Sequence, residues 1–167
     1  MNRIAITGPP RIGKTTICRR VIDSLGCRVG GMSTSEIRDG DRIGFQIMDL
    51  MTGMVGTLAH VHGAGPRIGK YHVNLADLDN IGAKAIECSI DAERIVIDEI
   101  GPMELKSERF VRAVEMALNS NKPMLVTLHQ RSRHSLAERI RSEFEVREIT
   151  KENRDRIVYE ITEKLKT

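Results

Sequence analysis

Two textures of apolar and polar positions alternate along this chain of 167 residues. Short apolar runs, Ile4-Ala5-Ile6, Arg94-Ile95-Val96-Ile97 and Pro123 to Leu128, have the pattern of strands buried on both faces, as in a parallel sheet. Between them apolar residues recur at helical spacing: Ile17, Val21, Ile22 and Leu25 predict a helix over about 14–25, which Gly26 ends. Further helices are expected over 75–91, 107–119, 132–142 and 151–166, with a short strand over 146–149. From Arg28 to about Asn74 the texture changes to short β-prone pieces punctuated by glycine: Val29 to Ser33, Ile43 to Leu50, Val55 to His60 and Tyr71 to Val73. The run Arg38-Asp39-Gly40-Asp41 predicts a hairpin turn among them. Strands alternating with helices imply right-handed crossovers, so the expected class is α/β: a mostly parallel sheet flanked by helices, carrying an antiparallel β excursion.

Composition narrows the picture without redirecting it. The length suits one domain over 1–167 with a core that needs no disulfide or metal staple. A net charge of +3 and a sequence pI near 8.9 come from scattered charges. Aromatic residues make up 3% with no Trp, which weighs against base-stacking platforms, so nucleic acid is not expected as a partner and a monomer is. Cys18, Cys27 and Cys88 form no C-x-x-C pair and read as small buried apolar residues of a reducing compartment. No apolar run approaches the length of a membrane span and no signal peptide precedes the first strand, so the expectation is a cytoplasmic protein without a membrane partner.

The chemistry begins directly after the first strand. Residues Gly8-Pro9-Pro10-Arg11-Ile12-Gly13-Lys14-Thr15, with Thr16 following, spell a complete G-x-x-x-x-G-K-[ST] phosphate loop in the strand-turn-helix setting that such a loop requires. Its backbone N–H groups would cradle the phosphates of a nucleoside triphosphate, Lys14 would reach the β- and γ-phosphates, and the Thr15 hydroxyl would ligate Mg²⁺. The helix that opens there adds its positive dipole end. Arg11 stands where glycine is common, so the backbone there lacks glycine's freedom at positive φ. Its side chain either adds a cation near the phosphates or points to solvent.

A second constellation lies at the carboxyl end of Ile95-Val96-Ile97, where open α/β sheets bind their ligands. There Asp98 would hold Mg²⁺ opposite Thr15, and Glu99 would orient or deprotonate the water that attacks the γ-phosphate. With Ile97, Ile100 and Gly101 these two complete the expected nucleotide-binding set. Asp98-x-x-Gly101 also fits a switch-type GTPase, yet Asn121-Lys122-Pro123-Met124 lacks the Asp of the guanine-reading Asn-Lys-x-Asp motif and precedes its strand.

Together with these two sites, Arg42-Ile43-Gly44-Phe45, Arg67 to Val73, Asp98 to Leu105 and Ile149 to Arg154 make the chain similar to the cancer-related nucleoside-triphosphatase family, small phosphate-loop enzymes also found in thermophilic prokaryotes. The resemblance spans nearly the whole chain and implies a RecA-like P-loop NTPase core and Mg²⁺-dependent hydrolysis of several nucleoside triphosphates, ATP and GTP among them. Arg11 departs from the family's usual glycine.

Hydrolysis builds charge on the transferring phosphoryl group, and Arg42, Arg67 and Lys70, all in glycine-flanked segments of the β excursion, are the candidate cations to meet it. Arg131, Arg133, Arg139 and Arg141 form a basic cluster that reads either as a kinase-like lid or as a solvated helix face interleaved with Glu138 and Glu143. His129 and Gln130 end their strand where a γ-phosphate sensor would sit. Thr150 reads as a helix N-cap with Asn153 three positions on. The alternative to hydrolysis is a nucleoside or nucleotide kinase that transfers the γ-phosphate to a small acceptor and excludes water.

Overall fold

The computed structural model describes residues 2–167, and its strands join into one nine-stranded sheet. In chain order the strands are β1 (Arg3–Thr7), β2 (Val29–Asp39), β3 (Asp41–Asp49), β4 (Val55–His60), β5 (Arg67–Ile68), β6 (Tyr71–Val73), β7 (Arg94–Ile100), β8 (Met124–Leu128) and β9 (Glu145–Glu148). Across the sheet they lie β5-β6-β4-β3-β2-β7-β8-β1-β9. The pairs β2·β7, β7·β8, β8·β1 and β1·β9 are parallel, whereas β2·β3, β3·β4, β4·β6 and β6·β5 are antiparallel. The predicted excursion is therefore an extension of the parallel sheet in its own plane.

Successive side chains of a strand face opposite sides, and both sides here are covered. Ile4 and Ile6 of β1 join Val96 and Leu125 against the helices α1 (Lys14–Leu25) and, near the C-terminus, Arg154–Lys166. Ala5, Ile95, Ile97 and Val126 face the other way, onto Phe110, Val114 and Leu118 of the helix Glu108–Asn119. That helix buries Phe110, Ala113, Val114, Ala117 and Leu118 at i, i+3 and i+4 spacing, and its N-cap Ser107 accepts from the Phe110 amide at 3.0 Å. The helix expected over 132–142 is Ser135–Glu143, beginning three residues later.

Several elements differ from the sequence pattern for identifiable reasons. Strand β2 runs on to Asp39, well past Ser33, because the Ser33 to Asp39 stretch pairs along the whole of β3 through a hairpin at Gly40, where φ is 73°. Its polar residues are half-exposed on both faces, so no alternation betrays the strand. The expected 75–91 helix is broken: α-helical Leu75–Asp77 passes through a π-helical stretch, Leu78–Ala83, to α-helical Lys84–Cys88 and a final 3₁₀ turn, Ser89–Asp91. The widened turn carries Gly82 so close over β3 that a Cβ there would lie 2.5 Å from Ile47 Cδ1. Of the cysteines, only Cys18 is buried; Cys27 is half-buried and Cys88 is exposed on its helix, which corrects the expectation of three buried thiols. No described helix is long and apolar enough to cross a membrane.

Candidate functional site

The phosphate loop joins β1 to α1 and is held from three sides. Lys14 Nζ donates to the Gly8 carbonyl at 2.8 Å and to the Pro9 carbonyl at 3.1 Å, folding the loop around its own ammonium group. Ile12 packs into the core formed by β1, α1 and the C-terminal helix. Its carbonyl accepts from Arg154 at 3.3 Å. Gly13 stands at the N-cap of α1, with no side chain capping the helix's first amides and no acidic residue in its first turn. Those free N–H groups and the positive dipole end make the loop an anion site. Arg11 adopts φ 66°, the left-handed conformation that the glycine-like position demands.

The second constellation sits in a bulge. Ile97 pairs with Val126 and Ile100 with Leu128, so Asp98 and Glu99 together face the single Thr127 of β8. A two-against-one bulge re-aims side chains next to active sites, and here it turns Asp98 into the protein and leaves Glu99 half-buried at the strand's edge. Strand β7 therefore continues through both acids to Ile100 rather than ending at Ile97. Asp98 is 1% exposed; its Oδ1 accepts from the Thr127 hydroxyl at 2.7 Å, and its Oδ2 is buried with no hydrogen-bond partner among the described residues. Burial raises the Asp98 pKa, opposed by the Thr127 and Thr15 hydroxyls and the charge of Lys14. An orphaned, buried carboxylate oxygen beside a threonine hydroxyl is a hard-oxygen donor set that suits a Mg²⁺ ion.

Glu99 titrates at about 7, pushed up first by burial and then by the Asp98 charge, with Lys14 pulling the other way. Glu104, in the 3₁₀ turn Glu104–Lys106, is a buried carboxyl raised well above the ordinary range by burial and then by Glu99. The Cys18 thiol is buried and pushed up by its burial and by Asp98 and Glu99, which leaves it unreactive. His129 follows β8, and burial, then the charges of Lys14, Arg131 and Arg141, hold its imidazole below the ordinary value. Its Nδ1 accepts from the Arg131 amide at 3.3 Å, leaving Nε2 to carry the proton.

Thus the fold brings Lys14, Thr15, Asp98, Glu99 and His129 into electrostatic range of one another. The three candidate cations lie apart from them. Arg42 donates to the Tyr71 hydroxyl at 2.8 Å, pairs with Glu36 at 3.2 Å and stacks on Phe45 and Tyr71. Arg67 donates to the Gly69 carbonyl, and Lys70 lies over the Tyr71 ring. Among the described residues no hydrogen bond or ion pair joins any of the three to the phosphate loop or to Asp98 and Glu99. In the basic cluster, Arg139 pairs with Glu143 and Arg141 with Glu138, the solvated-face arrangement. A cavity of about 500 Å³ lined by His60, His62 and His72 belongs to the antiparallel edge, separated from β1 by β3, β2, β7 and β8.

Thr127 had no motif to announce it, and Glu104 and Arg154 stood in the resembling stretches Asp98 to Leu105 and Ile149 to Arg154 without an assigned role. Thr127 is an ordinary strand residue until β8 is placed beside β7, and Glu104 is one acid in a turn until the fold buries it. Arg154 reaches the loop across 142 residues of sequence. Thr150 and Asn153 exchange reciprocal bonds, at 2.8 and 3.2 Å, but in the turn before the last helix, which begins at Arg154 rather than Lys151 with Asn153 at its N-cap position and no side chain capping it.

Comparison with known proteins shows the family of the chain. A family described as NTPase matches residues 3–162 of the chain. The chain is 52% identical to nucleoside-triphosphatase THEP1 of Methanosarcina acetivorans over 97% of this chain and 95% of that protein. It is 45% identical to THEP1 of Archaeoglobus fulgidus over 96% of each. Among solved structures, THEP1 from Aquifex aeolicus superposes with a TM-score of 0.90 at 31% identity, covering 99% of both chains. A human cancer-related nucleoside triphosphatase superposes with a TM-score of 0.79 at 33% identity, covering 98% of this chain and 96% of that one.

Proposed function

The chain belongs to the NTPase family and is a nucleoside-triphosphatase, and from that premise we propose that it hydrolyses the β-γ bond of ATP, GTP and other nucleoside triphosphates with Glu99 as the proton acceptor. Lys14 exchanges its bonds to the Gly8 and Pro9 carbonyls for the β- and γ-phosphates, and the free amides of α1 take the phosphate oxygens. Thr15 and Asp98 would hold Mg²⁺, which when bound neutralises charge on the β- and γ-oxygens. Glu99 accepts a proton from a water as that water's oxygen bonds to the γ-phosphorus. The bond from the γ-phosphorus to the β-γ bridging oxygen breaks, the nucleoside diphosphate leaves with that oxygen, and phosphate is released. Gly8 to Thr16 make up the phosphate-binding surface, and the run Ile97 to Gly101 carries Asp98 and Glu99 beside it.

The observation that carries this reading is the Glu99 carboxylate, set by the bulge beside Asp98 and titrating near 7, where a base is balanced between holding and releasing a proton. Arg42, Arg67 or Lys70 supplies the further cation, released from its partners in the excursion when nucleotide binds. The relatives' names speak for hydrolysis rather than transfer to an acceptor. A cytoplasmic monomer without nucleic-acid or membrane partners suits three free cysteines and scattered charge.

The test is phosphate release from ATP, GTP, CTP and UTP with Mg²⁺ by the native chain and Glu99→Gln. Release from all four that falls at least a hundredfold in the variant, with nucleotide binding retained, supports the assignment; undiminished release removes Glu99 from the mechanism.

A further inference from the structure

The Glu99 side chain lies across the bare Cα of Gly101. A Cβ built on Gly101 would stand 2.6 Å from Glu99 Oε1 and 3.3 Å from Glu99 Cδ and Cγ, and those are its three nearest atoms. We propose that Gly101 is a positioning residue for the hydrolysis, its missing side chain being the seat that holds the Glu99 carboxylate at the attacking water; this rests on the reading of Glu99 as proton acceptor.

Two ordinary reasons for a glycine are absent at this position. Its φ lies outside the left-handed range, so an alanine would fit the backbone without strain. Nor would an atom of another chain segment lie closer than 3.3 Å to that Cβ, since the three nearest atoms all belong to Glu99. The seat itself is fixed: Gly101 is buried, its carbonyl accepts from the Leu105 amide at 3.0 Å, and Pro102 follows it directly. When a Cβ is added, the seat stays and the flexible carboxylate yields. Contacts below 3.0 Å are not tolerated by a Cβ, so the carboxylate oxygen that stands at 2.6 Å must move away by at least several tenths of an ångström. Misplacement by about 1 Å can lower a positioned reaction about a hundredfold, so a displacement of about half that corresponds to about tenfold.

The experiment is a double-mutant cycle on the full chain with Gly101→Ala and Glu99→Gln, reading kcat, KM and nucleotide affinity. The expected result is a loss of about tenfold in kcat for Gly101→Ala with KM and affinity nearly unchanged. In the Glu99→Gln background Gly101→Ala should cause no further loss. If Glu99→Gln abolishes turnover while Gly101→Ala keeps it within threefold, the seat is wrong and the Glu99 reading survives. A further loss from Gly101→Ala in the Glu99→Gln background overturns the seat as well, because the alanine would then act through something other than the carboxylate. If Glu99→Gln leaves turnover intact, the Glu99 reading and the seat fail together. A thermal melt covers the case in which Gly101→Ala folds poorly: Glu99→Ala should restore the melting temperature of Gly101→Ala, and a double variant as unstable as the single one would overturn the proposal.

Discussion

The Thr127 hydroxyl donates a 2.7 Å hydrogen bond to Asp98 Oδ1, while Asp98 Oδ2, buried beside it, has no partner among the described residues. One strand thus supplies the acid and its neighbour fixes the acid's orientation, leaving one oxygen for a cation. Outer partners of this kind tune metal sites as much as the ligands do.

Thr127→Val keeps the shape of the side chain and removes its donor. A buried acceptor left unpaired costs about 1–3 kcal/mol, so the ligand-free variant should melt several degrees below the native chain. Turnover at limiting Mg²⁺ should fall about ten- to a hundredfold, with partial recovery as Mg²⁺ is raised. An unchanged Mg²⁺ dependence would remove Thr127 from the site.

The proposed role of Glu99 as proton acceptor requires its ionised form. With its pKa near 7 in the free protein, kcat/KM should rise with pH through about 7 and level off above it. The limb should vanish from the residual activity of Glu99→Gln. A profile flat between pH 6 and 8 in the native chain would contradict the assignment.

Stability should run the opposite way. The folded pKa of Glu99 is raised above the ordinary 4.5, so the folded state binds the proton more tightly than the unfolded chain does. The resulting stability is complete below pH 4.5 and lost as pH rises through about 7. Over that interval the loss is on the order of 3 kcal/mol. His129, its imidazole held below the ordinary value, opposes this near pH 6, so the informative quantity is the difference between native and Glu99→Gln chains. Without Mg²⁺ the two should melt together at pH 4, and the variant several degrees higher at pH 8. Equal melting temperatures at pH 8 would mean the carboxylate carries no strain of burial.

Arg11 holds φ 66°, a conformation that costs a side-chain-bearing residue about 1–2 kcal/mol. Arg11→Gly relieves this and loses part of the gain to the freer unfolded chain, so its melting temperature should equal or slightly exceed that of the native protein. Arg11→Val, β-branched in the same conformation, should lower both melting temperature and turnover. A valine variant as stable as the native chain would show that the loop relaxes without difficulty.

Much of this protein is legible from local pattern. Helix α1 begins at Lys14 and ends before Gly26 as its spacing and stop signal require, and the loop before it is spelled out in eight consecutive residues. The strand carrying Asp98 is visible because it is buried on both faces. Segments whose pattern is weak differ from it: β2 extends through polar Ser33 to Asp39 because hairpin pairing, not burial, holds it. The π-helical stretch over Leu78–Ala83 arises from how closely Gly82 crosses Ile47, a contact between residues far apart in sequence.

The sequence by itself determined the phosphate loop, the paired acids and the family, because each is carried by adjacent residues whose chemistry depends on short spacing. Only the tertiary structure decided what those acids can do. It set β8 beside β7, so that Thr127 takes one oxygen of Asp98 and leaves the other free, and it opened the bulge that separates Asp98 from Glu99. It also buried Glu99 and Glu104 near one another, which moves their protons, and laid Glu99 over Gly101. Burial and electrostatic coupling are properties of what surrounds a residue in space, and residues distant along the chain supply those surroundings.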